Sequence, residues 1–353
     1  MATPATNTVN IDPTAPVLVT GASGYIASWI VRYLLEGGYT VRATVRNPDK
    51  AQGLEHLHRL STQHPGHLTL HRADLLDQGS FAEAMAGCEV VMHTASPFLV
   101  GKIRDPQEQL IRPALGGTTN VLTSVEQMPT VKRVVLTSSV AALYGDNADM
   151  QGKSEFGETD WNTTSTPDHQ PYNYSKTVAE RQARTIHDAQ DRWDLVSIHP
   201  AVVLGPSLTD VSISGSMTTM RHFTDGSLTL GAPALIFGVV DVRDVARAHI
   251  AAAFTSLASG RYIATADTLS LLEIGTILRQ EFGDRRSFPR RELPKYVVKL
   301  AAPATGMSRK VIDRNLGWPL AFDNSRTRTE LGIEFRPASQ SVIEMFHQMN
   351  QKK

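Results

Sequence analysis

Short apolar runs alternate with longer amphipathic stretches through the first two-thirds of the chain. Val17–Thr20, Thr40–Val45, Leu68–His71, Val90–His93, Val134–Thr137 and Leu195–His199 are brief, apolar and followed by loops, as strands buried on both faces are. Between them, Tyr25–Glu36, Ser80–Met85, Gln107–Glu126 and Tyr172–Gln190 carry apolar residues at three- and four-residue spacing, which predicts covering helices. The alternation is that of βαβ units winding one parallel sheet of six strands. His56, His58, His64, His67 and His71 fall between the second and third strands, where a solvated connection is expected. After Pro200, prolines punctuate shorter elements. Val242–Ala253 reads as a helix, Arg261–Ala264 as a strand and Leu271–Phe282 as a helix, which suggests a smaller mixed lobe.

Composition narrows the class. At 353 residues, 41% hydrophobic and 20% charged, the chain spans roughly two domain lengths of ~150 residues and needs no disulfide or metal to fold. Lys and Arg total 35 and Asp and Glu total 35, so no basic surplus exists for a nucleic-acid backbone. The single cysteine, Cys88, lies in an apolar run and is expected to be a buried thiol in a reducing compartment. The polar start shows no signal-peptide pattern, and no window approaches ~18 apolar residues, so cytoplasmic residence without a membrane span is expected. No cysteine or carboxylate cluster completes a ligand set around the histidines, and no metal is expected.

The first strand runs into Thr20-Gly21-Ala22-Ser23-Gly24-Tyr25-Ile26-Ala27, a Gly-x-x-Gly-x-x-Ala turn opening a helix. Gly21 permits the tight turn, Gly24 lets the backbone approach a pyrophosphate, and Ala27 lets the helix lie close to the sheet. The helix N-terminus then faces the phosphates. An NAD site places an acid about 20 residues on. Here the second strand ends in Arg46, with Lys50 beyond it, and these cations suit the 2′-phosphate of NADP(H). Asp74 and Leu75, after the third strand, are candidates to clamp the adenine, the other reading of Asp74 being a loop cap.

Tyr172 and Lys176 stand four apart at the start of a helix and share one face. A tyrosine with its reference pKa of about 10 is a poor acid–base group at neutral pH, but a neighbouring ammonium favours the phenolate. Strand five ends in Ser138-Ser139, where Ser139 can donate to a substrate carbonyl at the ligand edge of an open α/β sheet.

These blocks, together with His93–Phe98, Gly205-Pro206 and Val240–Ala246, make the chain resemble the extended short-chain dehydrogenases/reductases. Within them it resembles the dihydroflavonol-reductase-like branch, which includes methylglyoxal/isovaleraldehyde reductases and related NADPH-dependent aldehyde and ketone reductases. The resemblance implies a Rossmann-type doubly wound parallel α/β sheet with a smaller mixed C-terminal substrate lobe. It implies a catalytic Ser139, Tyr172 and Lys176, of which Tyr172 and Lys176 also bind the cofactor and Lys176 orients the nicotinamide ribose, a 2′-phosphate held by Arg46 and Lys50, Thr94, Ala95 and Ser96 lining the dinucleotide, and Pro200, Ala201 and Val202 flanking the nicotinamide. On this reading residues 1–15 form a loose tail, 16–205 the NADP-binding domain, and 206–353 mainly the lobe, with about 235–253 returning to the sheet.

Departures shape the expected substrate. The Asn-Trp-Tyr-Cys-Tyr block of the branch that reduces cinnamoyl thioesters is not found, and Tyr144 stands where flavonoid reductases place an Asn. Ala114 replaces the fourth-helix Asn of many members, so a proton relay through that residue is not expected. A small-molecule aldehyde or ketone is therefore expected, with Phe98 and Tyr144 as candidate pocket residues, with Met217, Met220 and Phe223 as either a core stripe or an apolar pocket wall, and with a monomer or homodimer as the assembly. The alternatives are a nucleotide-sugar epimerase or dehydratase on this scaffold, or a non-catalytic NADP sensor.

Overall fold

In the computed structural model, which describes residues 8–96, 104–209, 215–285, 287–305 and 307–351, each apolar run predicted before Pro200 becomes a strand. The chain order opens β1 (Val17–Thr20), α1 (Tyr25–Glu36), β2 (Thr40–Val45), α2 (Glu55–Gln63), β3 (His67–Arg72), α3 (Ala82–Met85), β4 (Val90–His93) and α4 (Arg112–Glu126). There follow β5 (Arg133–Thr137), α5 (Pro171–His187), β6 (Asp194–Pro200), β7 (Val202–Leu204), α6 (Gly215–Arg221), β8 (Ala232–Pro233), β9 (Ile236–Asp241), α7 (Val242–Phe254) and β10 (Gly260–Ala264). The chain closes with β11 (Asp267–Ser270), α8 (Leu271–Phe282), β12 (Glu292–Leu293), α9 (Lys295–Thr305), α10 (Arg309–Asn315), α11 (Ser325–Glu330) and α12 (Ala338–Gln351).

The main sheet has seven strands in the order β3-β2-β1-β4-β5-β6-β10, all parallel. The expected doubly wound α/β architecture is borne out, with one strand more than predicted. The seventh is β10, which the sequence pattern assigned to the small lobe and which pairs instead with β6. The segment expected to return to the sheet divides: α7 packs on α1 against the sheet, whereas β9 joins β7 and β11 in a separate three-stranded sheet. The strand order reverses between β1 and β4, so the crevice outside their carboxyl ends is the ligand position of such sheets.

Apolar periodicity explains both faces. Ile30, Val31, Leu34 and Leu35 of α1 are buried with Val242, Val245 and Ala246 of α7 on one side. On the other, Val121, Leu122 and Val125 of α4 meet Ala183 of α5. Each such Val, Leu or Ile contributes about 1.5–3 kcal/mol by leaving water. Cys88 belongs to this second core, where burial pushes its thiol up to about 11. The connection expected to be solvated is instead α2, whose Leu57 and Leu60 are buried and whose His56 Nε2 lies 2.9 Å from Ser28 Oγ.

Candidate active site

The turn from β1 into α1 brings bare backbone to the mouth of the crevice. Gly21 has φ +64°, and a Cβ there would stand 3.0 Å from Ala95 Cα, so only glycine lets β1 and the end of β4 approach. Gly24 N–H donates to Gly21 O at 2.9 Å, and Ala22 N–H donates to Thr44 O at 3.0 Å. The first turn of α1 has neither a side-chain cap nor an acid, which leaves the N–H groups of Tyr25 and Ile26 and the helix dipole facing the crevice beside Ser23. The Tyr25 hydroxyl is buried and donates to Gly205 O at 2.5 Å, so its side chain is turned away from the crevice. Thr94 and Ala95 are fixed by Thr20 Oγ1, which accepts both their N–H groups at 3.1 and 3.0 Å.

Arg46 and Lys50 are exposed beyond β2 and make no hydrogen bond or ion pair with other described residues. A glycine cradle with uncapped helix N–H groups and two uncommitted cations beside it fits a dinucleotide carrying a 2′-phosphate. Asp74 caps its own turn through Leu76 N–H at 2.9 Å, while Leu75 lines a small cavity shared with Ala95, Ser96 and Lys176. Asn120, which sequence reasoning passed over, holds that loop: its Nδ2 donates to Leu75 O and Asp77 O at 3.1 and 2.8 Å, and its Oδ1 accepts Gly79 N–H at 3.0 Å. An Asn within an otherwise apolar-patterned helix was the available signal.

The Tyr and Lys of the motif fall on the first two turns of α5. Pro171 sits at its first position, and Gln170, in the left-handed region at φ 57°, aims the chain into it. Tyr172 is 41% exposed, and Lys176 Nζ donates to Ser96 Oγ at 3.2 Å. Ser139 follows β5, accepts Ala141 N–H at 3.2 Å and donates weakly to Pro200 O at 3.4 Å. Helix α5 packs on the turn after Ser139, and Asn173 Nδ2 donates to Gly145 O at 3.0 Å, binding the two motif segments together. Ala201, between β6 and β7, is held by its N–H to Ala264 O at 3.1 Å, and Val202 opens β7.

The expected pocket residues divide. Tyr144 stacks on Phe156 with centroids 4.9 Å apart and stands 5.6 Å from Phe322, while burial beside Asp146 and Asp149 pushes its phenol up. Met220 and Phe223 are corrected: both are fully buried in the core of the lobe with Leu228, Ile274 and Phe346, because the three-residue spacing is that of a core stripe. Met217 is packed at the edge of that core, and Phe98 lies outside the described residues. Among the described residues no three His, Cys, Asp or Glu side chains converge as metal ligands, and no helix is long and apolar enough to cross a membrane.

Residues 17–263, from β1 through most of β10, match the NAD dependent epimerase/dehydratase family. The chain belongs to that family. This epimerase/dehydratase-family chain is 37% identical over 340 residues to cinnamoyl-CoA reductase CAD2 of Medicago truncatula, covering 96% of each. It is 37% identical over 335 residues to tetraketide alpha-pyrone reductase 1 of Arabidopsis thaliana, covering 94% of this chain and 92% of the relative. The structure of yeast methylglyoxal/isovaleraldehyde reductase Gre2 complexed with NADPH superposes with a TM-score of 0.76 at 26% identity, over 96% of this chain and 98% of that one. The resemblance read from the motifs to a reductase branch of this family is borne out.

Proposed function

We propose that the protein is an NADPH-dependent oxidoreductase that reduces the carbonyl group of a small aldehyde or ketone to an alcohol. The observation that carries the reading is the Lys176 ammonium, 3.2 Å from Ser96 at the cradle edge, one turn after the exposed phenol of Tyr172. The reduced nicotinamide, when bound, supplies a hydride. Tyr172 gives its hydroxyl proton to the carbonyl oxygen as negative charge develops there, and Lys176 stabilises the phenolate that remains. Ser139 turns its weakly committed hydroxyl from Pro200 O to the same oxygen and holds the carbonyl in place. Arg46 and Lys50 hold the 2′-phosphate and select NADPH over NADH. Pro200, Ala201 and Val202 wall the nicotinamide side.

The uncommitted cations after β2 speak for a reductase using NADPH over a nucleotide-sugar epimerase holding NAD. The relatives named as cinnamoyl-CoA reductases support a second reading, reduction of a thioester. One assay separates them: NADPH oxidation, with NADH alongside, against aliphatic and aromatic aldehydes, keto esters and cinnamoyl-CoA, using Tyr172→Phe as control. Turnover of a free carbonyl with NADPH, lowered at least about 100-fold in the variant while NADPH binding persists, is the expected result. Turnover of the thioester alone selects the second reading. Tight NADPH binding with no substrate reduced defeats both.

A further inference from the structure

The chemistry just described uses none of the charge buried beneath it. Glu180 lies one turn beyond Lys176 and two beyond Tyr172 on the same face of α5, and its side chain is 1% exposed. Its Oε2 accepts Ser138 Oγ–H at 2.6 Å and His199 Nε2–H at 2.7 Å, and its Oε1 accepts Arg261 Nε–H at 2.8 Å. Arg261, itself 6% exposed, also donates to Glu158 O and Asp160 O at 2.8 and 2.5 Å and stacks 4.0 Å from the Trp161 ring centre. Burial alone would raise the Glu180 carboxyl, but His199 and Arg261 outweigh it and hold the group well below the usual carboxylate range.

Replacing a buried ion pair by an apolar cluster of the same volume is often neutral for stability, so the network is informative for what it orients. Successive residues at the end of β5 point to opposite faces. Thr137 Oγ1 turns to His249 of α7 at 2.7 Å, Ser138 Oγ turns to Glu180 of α5 at 2.6 Å, and Ser139 Oγ accepts Ala141 N–H at 3.2 Å and has for its own hydrogen the weak 3.4 Å contact with Pro200 O. Ser138 N–H donates to Ile198 O at 2.8 Å, so Ser138 is fixed through both backbone and side chain. The bond from Ser138 to Glu180 therefore joins the strand end bearing Ser139 directly to the helix bearing Tyr172 and Lys176.

We propose that Glu180 is a positioning residue for carbonyl reduction, setting through Ser138 the register between the Ser139 hydroxyl and the Tyr172–Lys176 face of α5. This rests on the catalytic reading above. A misplacement of about 1 Å between such groups costs up to about 100-fold in rate, so the loss falls on kcat. The clamp joins β5 to α5, whereas the glycine turn of the NADPH cradle belongs to β1 and α1.

The test compares Ser138→Ala, Ser138→Thr and Thr137→Val in the full chain, with the best substrate of the carbonyl panel, NADPH binding by fluorescence and thermal unfolding. Ser138→Ala is expected to lower kcat about 10–100-fold with NADPH affinity within about two-fold, and Ser138→Thr, which keeps a hydroxyl, to restore most of it. Thr137→Val removes the matching bond on the opposite face, and is expected to lower the unfolding temperature comparably with kcat within about three-fold. If Ser138→Ala does not fold, Ser138→Cys, whose thiol is a weaker donor, carries the same comparison. Wild-type kcat in Ser138→Ala beside an inactive Tyr172→Phe overturns the clamp alone. Equal kcat losses in Ser138→Ala and Thr137→Val reduce it to ordinary stability and overturn it. A fully active Tyr172→Phe removes the catalytic reading itself.

Discussion

Thr20 and His93 face each other across β1 and β4, with Oγ1 3.0 Å from Nδ1. The same oxygen accepts the N–H groups of Thr94 and Ala95, so its own hydrogen goes to His93, whose imidazole carries its proton on Nε2. One hydroxyl thus sets the spacing between the glycine turn and the strand end beside it. Thr20→Val strips two N–H groups of their acceptor, at about 1–3 kcal/mol of stability. Urea unfolding should show that loss, and a fluorescence titration should show NADPH affinity about ten-fold weaker, since the cradle widens where Gly21 meets Ala95. Thr20→Ser should behave as wild type.

Arg46 and Lys50 should decide between the two nicotinamide cofactors. A charge-assisted bond is worth about 1.5–3 kcal/mol, so Arg46→Ala is expected to raise the KM for NADPH about 10–100-fold. The KM for NADH should hardly move. Steady-state kinetics with both cofactors measures the ratio, and an unchanged ratio would place the 2′-phosphate elsewhere.

Two buried histidines should make the fold sensitive to acid. Burial lowers His249 to about 4 and His93 to about 3, the latter helped by the nearby Lys176 charge. An unfolded histidine takes up its proton near pH 6.5, so below that pH the unfolded chain binds more protons than the native one. Stability is therefore complete above about pH 6.5 and falls by up to about 1.4 kcal/mol per unit for each histidine. The fall continues to about pH 4 for His249 and pH 3 for His93. Urea unfolding at several pH values should give a shallower slope between pH 6 and 4 for His249→Gln than for the wild-type chain, and parallel slopes would contradict it.

The boundaries of β1, α1, β2, β4 and α8 are legible in the sequence to the residue, because each pairs an unbroken apolar pattern with a turn or cap. Ser270, for instance, caps α8 with Glu273 three residues on. Helix α2 was obscured because its buried face mixes Leu57 and Leu60 with His56, which counts as polar in a pattern yet is buried against Ser28. The glycine turn and the Tyr172–Lys176 pair were legible because their parts are near neighbours in sequence. The contact between Glu180 and Arg261 spans 81 positions, and nothing local in either segment announces it.

The late arrival of β10 at the edge of the main sheet has a consequence for how the protein is made. When β6 leaves the ribosome, its outer row of N–H and C=O groups has no partner until the chain has travelled out through β7 and β9 and come back as far as Ala264. An unpaired edge of that kind is a template for another chain. A chain that ends between Pro200 and Gly260 therefore leaves that edge of β6 open to a strand from another copy, and β10 is the element that closes it.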